Sequence, residues 1–233
     1  MSFPLDVVIA STVRTAVGRA NKGTLRDTRP DDLGAAAVKE ALARVPGLDP
    51  ADIQDIVMGC AFPEGEQGLN VARNIGFLAG VPDEVPAETI NRYCSSGLQA
   101  IAHGALSIHA GLMDTMIAGG VESMSSVPMG GNKTSLNPSL VEARPEAYIS
   151  MGHTAERVAK QFGVSREMQD EFALNSHQKA VDAIEKGRFK EEIVPVQARV
   201  QRNGSFETVT FDQDESVRAD TTLEGLASLR PVF

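Results

Sequence analysis

The residue best suited to covalent chemistry is Cys94, within the segment Asn91-Arg92-Tyr93-Cys94-Ser95-Ser96-Gly97. The segment joins a predicted strand to a predicted helix, so we expect Cys94 on a tight turn at or just before the helix N-terminus. Unpaired backbone N–H groups and the positive end of the helix dipole stabilise a thiolate there, and they could also contribute to an oxyanion hole. A free cysteine is also often a small buried hydrophobe, so both interpretations stay open at this point.

The four histidines of the chain provide no evident base for Cys94. His103 lies nine residues further along the same predicted helix, roughly 13 Å away at 1.5 Å per residue, and cannot reach the sulfur. His109 is further still. His153 precedes a predicted helix and could reach a bound ligand, but a surface or capping role is the simpler interpretation, as it is for His177.

The second thiol, Cys60, follows a predicted strand and is interpreted as a small buried residue. Two cysteines cannot form a dense disulfide framework. Without a CxxC pair, and with the histidines scattered, we expect no metal site.

The composition excludes several classes of protein. The 233 residues are 42% hydrophobic and 23% charged, which is enough to bury a sizeable core in one or two domains. Lys and Arg total 22 against 31 Asp and Glu, and the net charge of −9 argues against nucleic acid or an anionic membrane as a partner. No apolar run approaches the roughly 20 residues of a membrane span, and no secretion signal is evident, so we expect a cytoplasmic protein.

Short apolar runs alternate with helical patterns over residues 1–123. The predicted strands are Leu5–Ala10, Ile56–Gly59, Ala87–Asn91 and Thr115–Gly119, and the predicted helices are Asp31–Val45, Asn70–Gly80 and Leu98–Leu112. This alternation is typical of an α/β layer with a mixed, largely parallel sheet. The Leu98–Leu112 helix is apolar on nearly every face, so we expect it to be buried between layers.

The pattern changes after Ser123. Residues 124–150 are rich in Gly, Pro, Ser and Asn in irregular order, which predicts a long surface excursion. Two helices follow, at 154–162 and 165–186, and then a strand pair around Asn203-Gly204. We interpret residues 124–233 as an inserted α+β loop domain. The alternative is an extended tail of the first domain.

Several segments resemble thiolase signatures in the family's order and spacing along the whole chain. The longest run from Asn91 to Ala100, from Ala118 to Met124 and from Met151 to Glu156, and shorter ones are Val13-Arg14-Thr15, Ser165-Arg166 with Gln169-Asp170, Gly187 to Pro195, and Leu229 to Phe233. The sequence is therefore identified as a member of the thiolase family. This implies a thiolase-like layered fold, with an N-terminal βαβαβαβ half.

Thiolases are acyltransferases that cleave 3-ketoacyl-CoA with CoA to give acetyl-CoA and a shortened acyl-CoA, or run the reverse condensation. The resemblance implies that Cys94 takes up the acyl group as a thioester and that its own N–H belongs to an oxyanion hole. The Cys-Ser-Ser-Gly form after Arg92-Tyr93 is more similar to degradative thiolases of fatty-acid β-oxidation than to biosynthetic acetoacetyl-CoA thiolases, which tend to show Cys-Gly-Ser-Gly.

The resemblance also implies that CoA, as a substrate and not a cofactor, lies against the loop domain. Met151 and Phe233 match positions beside the pantetheine arm, Arg218 matches one near the adenine nucleotide, and Ser228 lies in the same stretch. Arg218 would supply a local positive charge that the acidic composition lacks. A solvated charge at Arg218 and plain packing at Met151 are the alternatives.

Members of the family continue well beyond this length, with a Gly-His-Pro histidine, an Asn-Glu-Ala-Phe segment and a second cysteine in a Cys-x-Gly setting. Residues 1–233 contain none of these. We therefore expect an N-terminal portion, truncated before the last strand of its first half and inactive in thiolysis alone.

The resemblance also implies partners and defines the alternative functions. The expected partners are acyl-CoA, CoA, further copies in a homodimer or homotetramer, and a β-oxidation multienzyme complex. The alternative function is a non-catalytic acyl-CoA-binding or assembly module, which would bind CoA without acylation of Cys94. A condensing enzyme of the ketoacyl-synthase type is disfavoured because the loop-domain motifs are thiolase-like.

Overall fold

A computed structural model describes residues 6–202 and 204–233, and it shows an α/β protein. Its strands are β1 (Arg14–Thr15), β2 (Ile56–Gly59), β3 (Ala87–Ile90), β4 (Ile117–Gly120), β5 (Ile193–Val194), β6 (Val196–Arg202) and β7 (Ser205–Phe211). Its helices are α1 (Pro30–Ala43), α2 (Val71–Ala79), α3 (Ser96–His109), α4 (Pro138–Ala143), α5 (Met151–Phe162), α6 (Arg166–Glu185) and α7 (Leu223–Ala227). Short 3₁₀ turns lie at Pro50–Asp52, Gly65–Gln67 and Pro145–Tyr148.

The central sheet has the strand order β3-β2-β4, and all of its strands are parallel. The crossover from β2 to β3 through α2 and the crossover from β3 to β4 through α3 run in opposite directions across the sheet. Because such crossovers are right-handed, α2 and α3 lie on opposite faces. The middle strand β2 is therefore buried along its whole length, as its continuous apolar sequence predicts.

Apolar side chains of α1, α2 and β2 form the main core. Ile56 and Met58 of β2 pack with Val38, Val71 and Ile75, all of them buried. Full burial of a side chain of this size contributes about 1.5–3 kcal/mol. This cluster holds the sheet in place beneath the turn that carries Cys94.

A second core joins the antiparallel strands β6 and β7 to the N-terminal segment. Ala198 and Phe211 pack with Ala16 and Leu25. The strand β1 pairs in parallel with β5 beside this core. The side chain of Arg14 forms ion pairs with Glu192 and Asp214.

The helices α4 to α7 make further local contacts. The side chain of Ser165 accepts a hydrogen bond from the Met168 N–H and so caps α6. Arg166 pairs with Asp170 one turn later, with Nε–Oδ1 at 2.9 Å. Its Nη2 atom also donates to the carbonyl of Leu226 at 2.7 Å, which ties α7 to α6.

The chain divides into two compact units. The first runs to Lys133 and includes Glu191–Ser216, and the second consists of Thr134–Lys190 and Val217–Phe233. Each compact unit is a group of residues that contact one another, and such a group does not by itself define a domain. The division into domains 1–123 and 124–233 therefore stays a prediction.

Three local expectations differ from the structure. Residues 6–10 do not form the predicted strand: Val8 and Ile9 are 79% and 71% exposed, and no described strand offers this segment a hydrogen-bonding neighbour. The predicted irregular stretch contains α4, where the Asn137 side chain accepts from the Leu140 N–H. The helix α3 is not buried all round, because the sheet covers only its small-residue face and leaves Leu98 and Leu106 exposed.

The strands β6 and β7 confirm the predicted strand pair, while Asn203 of the predicted Asn203-Gly204 turn lies outside the described residues. Within 6–202 and 204–233, the structure has no helix that is both long and apolar enough to cross a membrane.

Candidate active site

The predicted nucleophile lies where the central sheet meets the N-terminus of α3. The strand β3 ends at Ile90 and α3 begins at Ser96, so Cys94 lies two residues before the helix, as predicted. Cys94 is exposed to solvent. The carboxyl edge of a parallel sheet is where open α/β sheets bind ligands, and an exposed thiol there can meet a substrate.

Backbone and serine hydrogen bonds hold this turn. The Ser96 hydroxyl donates to the Tyr93 carbonyl at 2.6 Å and accepts from the Arg92 N–H at 2.8 Å. The N–H groups of Ser95 and Ser96 donate to the carbonyls of Arg92 and Tyr93 at 3.2 and 3.0 Å. These two N–H groups are therefore already used. The N–H of Cys94 has no acceptor in the part of the chain that the structure describes, so it can serve as an oxyanion donor.

Glycines let α3 approach the sheet closely. A Cβ atom on Gly59, at the end of β2, would overlap the backbone of Ser96 and Gly97. On the neighbouring strand, a Cβ on Gly120 would lie 3.2 Å from the Gly97 Cα. The absence of a Cβ atom at Gly59 and Gly120 therefore permits this close backbone approach. The first turn of α3, and with it Cys94, is thus fixed against two strand ends.

The second cysteine has a contrasting setting. Cys60 is 1% exposed, and its Sγ lies 3.9 Å from Glu122 Oε1. Burial, followed by the negative charge of Glu122, raises the pKa of the Cys60 thiol to about 11. This thiol stays protonated at neutral pH, which confirms the prediction of a small buried residue.

Glu122 organises the polar groups at this end of the sheet. Its Oε2 accepts from the Ala61 N–H at 2.6 Å, and its Oε1 accepts from Gln67 Nε2 at 2.8 Å. Gln67 is fully buried and also accepts from the Ser123 N–H. Every polar atom of the Gln67 amide therefore has at least one partner, which a buried amide requires.

Two of the predicted CoA contacts come together at the start of α5. Met151 is its first residue, and the ring of Phe233 lies against Gly152, where a Cβ atom would overlap the ring. The Phe233 ring also meets His153 edge-on, with the ring centroids 5.4 Å apart. The Ser150 hydroxyl lies 2.7 Å from His153 Nδ1. The exposed side chains of Met151 and Phe233 offer an apolar surface.

The other two predicted contacts lie elsewhere in the same compact unit. Arg218 lines a small cavity of about 210 Å³ beside α6, and its N–H donates to His177 Nδ1 at 3.2 Å. Asp182 and Glu185 line the same cavity. The Ser228 hydroxyl donates to the Gly225 carbonyl at 2.7 Å at the end of α7. Met151, Ser228 and Phe233 do not line the Arg218 cavity.

Comparison with known proteins decides the family. Residues 7–233 match the family described as "Thiolase, N-terminal domain". The chain belongs to the thiolase family. It is 56% identical over 233 residues to the 3-ketoacyl-CoA thiolase of Bacillus subtilis and 44% identical over 230 residues to that of Saccharophagus degradans. These alignments cover 98% and 99% of this chain.

A solved structure agrees with this assignment. The structure titled "Crystal structure of the Bacillus anthracis acetyl-CoA acetyltransferase" is similar with a TM-score of 0.83 and 37% identity, over 97% of this chain and 58% of that one. The chain likewise spans 59% and 58% of the two curated relatives. The thiolase fold predicted from the sequence is confirmed.

Within this thiolase N-terminal domain, sequence reasoning left several residues around Cys94 without a role. Tyr93 has a φ of +48°, which is rare for any residue except glycine. Asn91 accepts the Tyr93 N–H on its side-chain oxygen. Asn91 and Glu122 belong to the quoted signatures, and an Asn two residues before a strained position is the signal of an Asx turn. The roles of Gln67 and Gly59 have no sequence signal of this kind.

Proposed function

We propose that this chain carries the nucleophile of a 3-ketoacyl-CoA thiolase, an acyltransferase that acts in fatty-acid β-oxidation. The observation that carries the proposal is the setting of Cys94, an exposed thiol at the N-terminal end of α3 whose own N–H has no acceptor among the described residues. Such a setting leaves the thiol open to a substrate carbonyl and provides one donor for an oxyanion. The 56% identity to a protein named 3-ketoacyl-CoA thiolase supports the choice of reaction.

In the proposed reaction the Cys94 sulfur attacks the 3-keto carbonyl carbon of the substrate, and the Cys94 N–H donates to the oxygen that becomes negative. The bond between C2 and C3 then breaks, and its electron pair passes to the α-carbon of acetyl-CoA, which takes up a proton. The shortened acyl group stays on Cys94 as a thioester. The thiolate of a second CoA attacks that thioester, and the Cys94 thiolate leaves.

For CoA, we propose the four residues assigned by resemblance: Met151 and Phe233 beside the pantetheine arm, Arg218 near the adenine nucleotide, and Ser228 along the channel. The exposed apolar surface at the start of α5 supports the first pair. Arg218 is exposed beside a cavity next to α6, where its positive charge faces a lining that also includes Asp182 and Glu185, and a guanidinium can stack on an aromatic base. CoA acts here as a substrate.

A second candidate is the biosynthetic reaction of an acetoacetyl-CoA thiolase. The 37% identity to a protein titled acetyl-CoA acetyltransferase favours it. A pocket for the acyl chain would distinguish the two, because a biosynthetic enzyme accepts acetyl groups alone.

We also propose a homodimer or homotetramer, a β-oxidation multienzyme partner and a cytoplasmic location, each by resemblance to the family.

Mass spectrometry of the purified chain after treatment with acyl-CoA tests the proposal. We expect a thioester adduct on the peptide that contains Cys94, formed from both octanoyl-CoA and acetyl-CoA. The Cys94→Ala variant should form no adduct, and the matched Cys60→Ala variant should form the same adduct as the parent chain. Labelling by acetyl-CoA alone would support the biosynthetic candidate.

The absence of any adduct on Cys94, while CoA binding survives in Cys94→Ala, would overturn the proposal. That result would support the alternative of a non-catalytic acyl-CoA-binding module. Equilibrium binding of CoA to both variants, measured by calorimetry, supplies the second half of this comparison.

A further inference from the structure

A continuous path of hydrogen bonds connects Glu122 to the turn that carries Cys94. The Glu122 carboxylate accepts the Ala61 N–H at 2.6 Å, and the Ala61 carbonyl accepts Asn91 Nδ2 at 2.9 Å. The other atom of that amide, Asn91 Oδ1, accepts the Tyr93 N–H at 2.8 Å. The path crosses from the end of β4 past the end of β2 to the residue immediately before Cys94.

The residue at the end of this path has a strained backbone. Tyr93 has a φ of +48°, in the left-handed region where the Cβ atom of an ordinary residue is crowded. Such a conformation persists only when the surroundings impose it. The Asn91 side chain imposes it on one side by holding the Tyr93 N–H. The ring of Tyr93 also packs against Phe62, with the centroids 6.1 Å apart.

The start of the path is itself fixed. Gln67 holds Glu122 Oε1 through Nε2 at 2.8 Å, and the same nitrogen donates to the Phe62 carbonyl at 2.9 Å. Because Gln67 is fully buried, this anchor cannot move without leaving polar atoms unpaired. The carboxylate therefore has a defined place from which to position the Ala61 peptide.

The left-handed Tyr93 explains where the thiol lies. It reverses the chain direction between β3 and α3, which places Cys94 two residues before the helix and leaves its N–H without a protein acceptor in the described residues. In an ordinary extended conformation at Tyr93, the chain would continue along the strand direction and Cys94 would leave the end of α3.

We propose that Asn91 and Glu122 are positioning residues, which hold Tyr93 in the left-handed conformation and thereby keep the Cys94 thiol at the N-terminal end of α3. The reason for placing the thiol there rests on the proposed function. The hydrogen-bond path itself does not depend on that function, so a chemical probe of the thiol can test it separately.

The test measures the rate at which iodoacetamide alkylates Cys94, and mass spectrometry of the digested protein follows the peptide that contains it. We expect Asn91→Ala to lower the rate at Cys94 about tenfold, because the thiol then leaves its exposed place at the N-terminal end of α3. Glycine adopts positive φ without strain. Tyr93→Gly added to Asn91→Ala should therefore restore the rate to within about threefold of the parent chain.

Conservative and matched variants sharpen the test. Glu122→Gln keeps one acceptor oxygen for the two donors, Ala61 N–H and Gln67 Nε2, and should slow the reaction less than Glu122→Ala, which removes both acceptors and should act in the same direction as Asn91→Ala. Asn175→Ala, on the exposed face of α6, is the matched control and should have no effect. Circular dichroism of each variant establishes that the chain remains folded.

The rescue separates positioning from general stability, since a glycine in place of Tyr93 removes side-chain packing and cannot restore a damaged core. An unchanged rate in Asn91→Ala would overturn the inference, and so would a folded double variant that stays slow. If the parent chain reacts with iodoacetamide as expected but takes no acyl group from octanoyl-CoA, the proposed function fails while the positioning inference stands.

Discussion

Cys60 and Cys94 lie in consecutive strand–turn segments, and their surroundings give the two thiols different chemistry. Cys60 follows β2 in the core, where burial and the carboxylate of Glu122 keep it protonated. Cys94 follows β3 on an exposed turn at the N-terminus of a helix. The two side chains are chemically identical. At the scale of single residues, the difference in reactivity between them therefore comes from what surrounds each sulfur.

The raised pKa of Cys60 predicts a pH-dependent stability. The unfolded thiol ionises near its ordinary pKa of 9.0 and the folded thiol at about 11. The stabilisation is therefore fully present below pH 9 and is lost as the pH rises towards 11. Urea unfolding at pH 8 and pH 10.5 should show the stability difference between the parent and Cys60→Ala narrowing at the higher pH.

A buried residue without a titrating group provides the control for this prediction. Val57→Ala, on the strand β2 that precedes Cys60, should show a deficit in unfolding free energy that does not change with pH. A constant gap between the parent and Cys60→Ala across the same range would mean that Cys60 ionises equally easily in both states.

At the scale of elements, the position of α3 depends on residues that lack side chains. The helix begins against Gly59 of β2 and Gly120 of β4, and its buried face consists of small residues such as Ala100 and Gly104. A helix with a larger residue at these positions would stand further from the sheet. The turn before it, which carries Cys94, would then shift by the same distance.

Gly59→Ala should therefore destabilise the chain by about 1–3 kcal/mol, the usual cost of overpacking a fixed contact. The contact partner is backbone of Ser96 and Gly97, which cannot rotate away. Gly97→Ala is the matched control, because its Cβ would meet its nearest neighbour at an ordinary 3.8 Å. Denaturant unfolding measures both variants, and equal stability of the two would contradict the close approach.

At the scale of the whole molecule, a distant part of the sequence completes the first compact unit. Asp214 accepts from Arg14 Nη1 and Nη2 at 2.8 and 3.0 Å, and Glu192 accepts from Arg14 Nε at 2.6 Å. The hydrogen bonds from Arg14 hold the pKa of Asp214 below its ordinary value of 3.8. One arginine near the N-terminus thus joins both ends of the segment Glu191–Ser216.

Asp214→Asn should destabilise the chain by about 2 kcal/mol, because a bidentate charge-assisted pair is lost from a half-buried site. The lowered pKa sets the direction of the pH effect: the contribution is present above pH 3.8 and is lost as the pH falls below it. Urea unfolding at pH 7 checks the first point and acid unfolding the second. The exposed neighbour Asp212→Asn should change neither, and equal behaviour of the two variants would contradict this role for Arg14.

Sequence reasoning predicted the alternating elements well and the long-range contacts poorly. The strand Ile56–Gly59 has the predicted bounds, because a short apolar run between turn residues has few other interpretations. Asn70 begins the predicted helix and is a residue type that favours N-caps, but its side chain makes no capping hydrogen bond in α2 and donates to the Ala87 carbonyl instead. An N-cap residue can bond to any nearby acceptor, and only the folded chain supplies that acceptor.

The sequence by itself determined the α/β class, the thiolase family and the position of Cys94 before a helix, since each depends on residue types at short spacing. The tertiary structure alone decided that Glu122, Gln67 and Asn91 form one hydrogen-bonded path, and that residues 191–216 belong with the first compact unit. The physical reason is range. Periodicity and turn chemistry act over a few residues, whereas buried hydrogen bonds and ion pairs join residues brought together only when the chain folds.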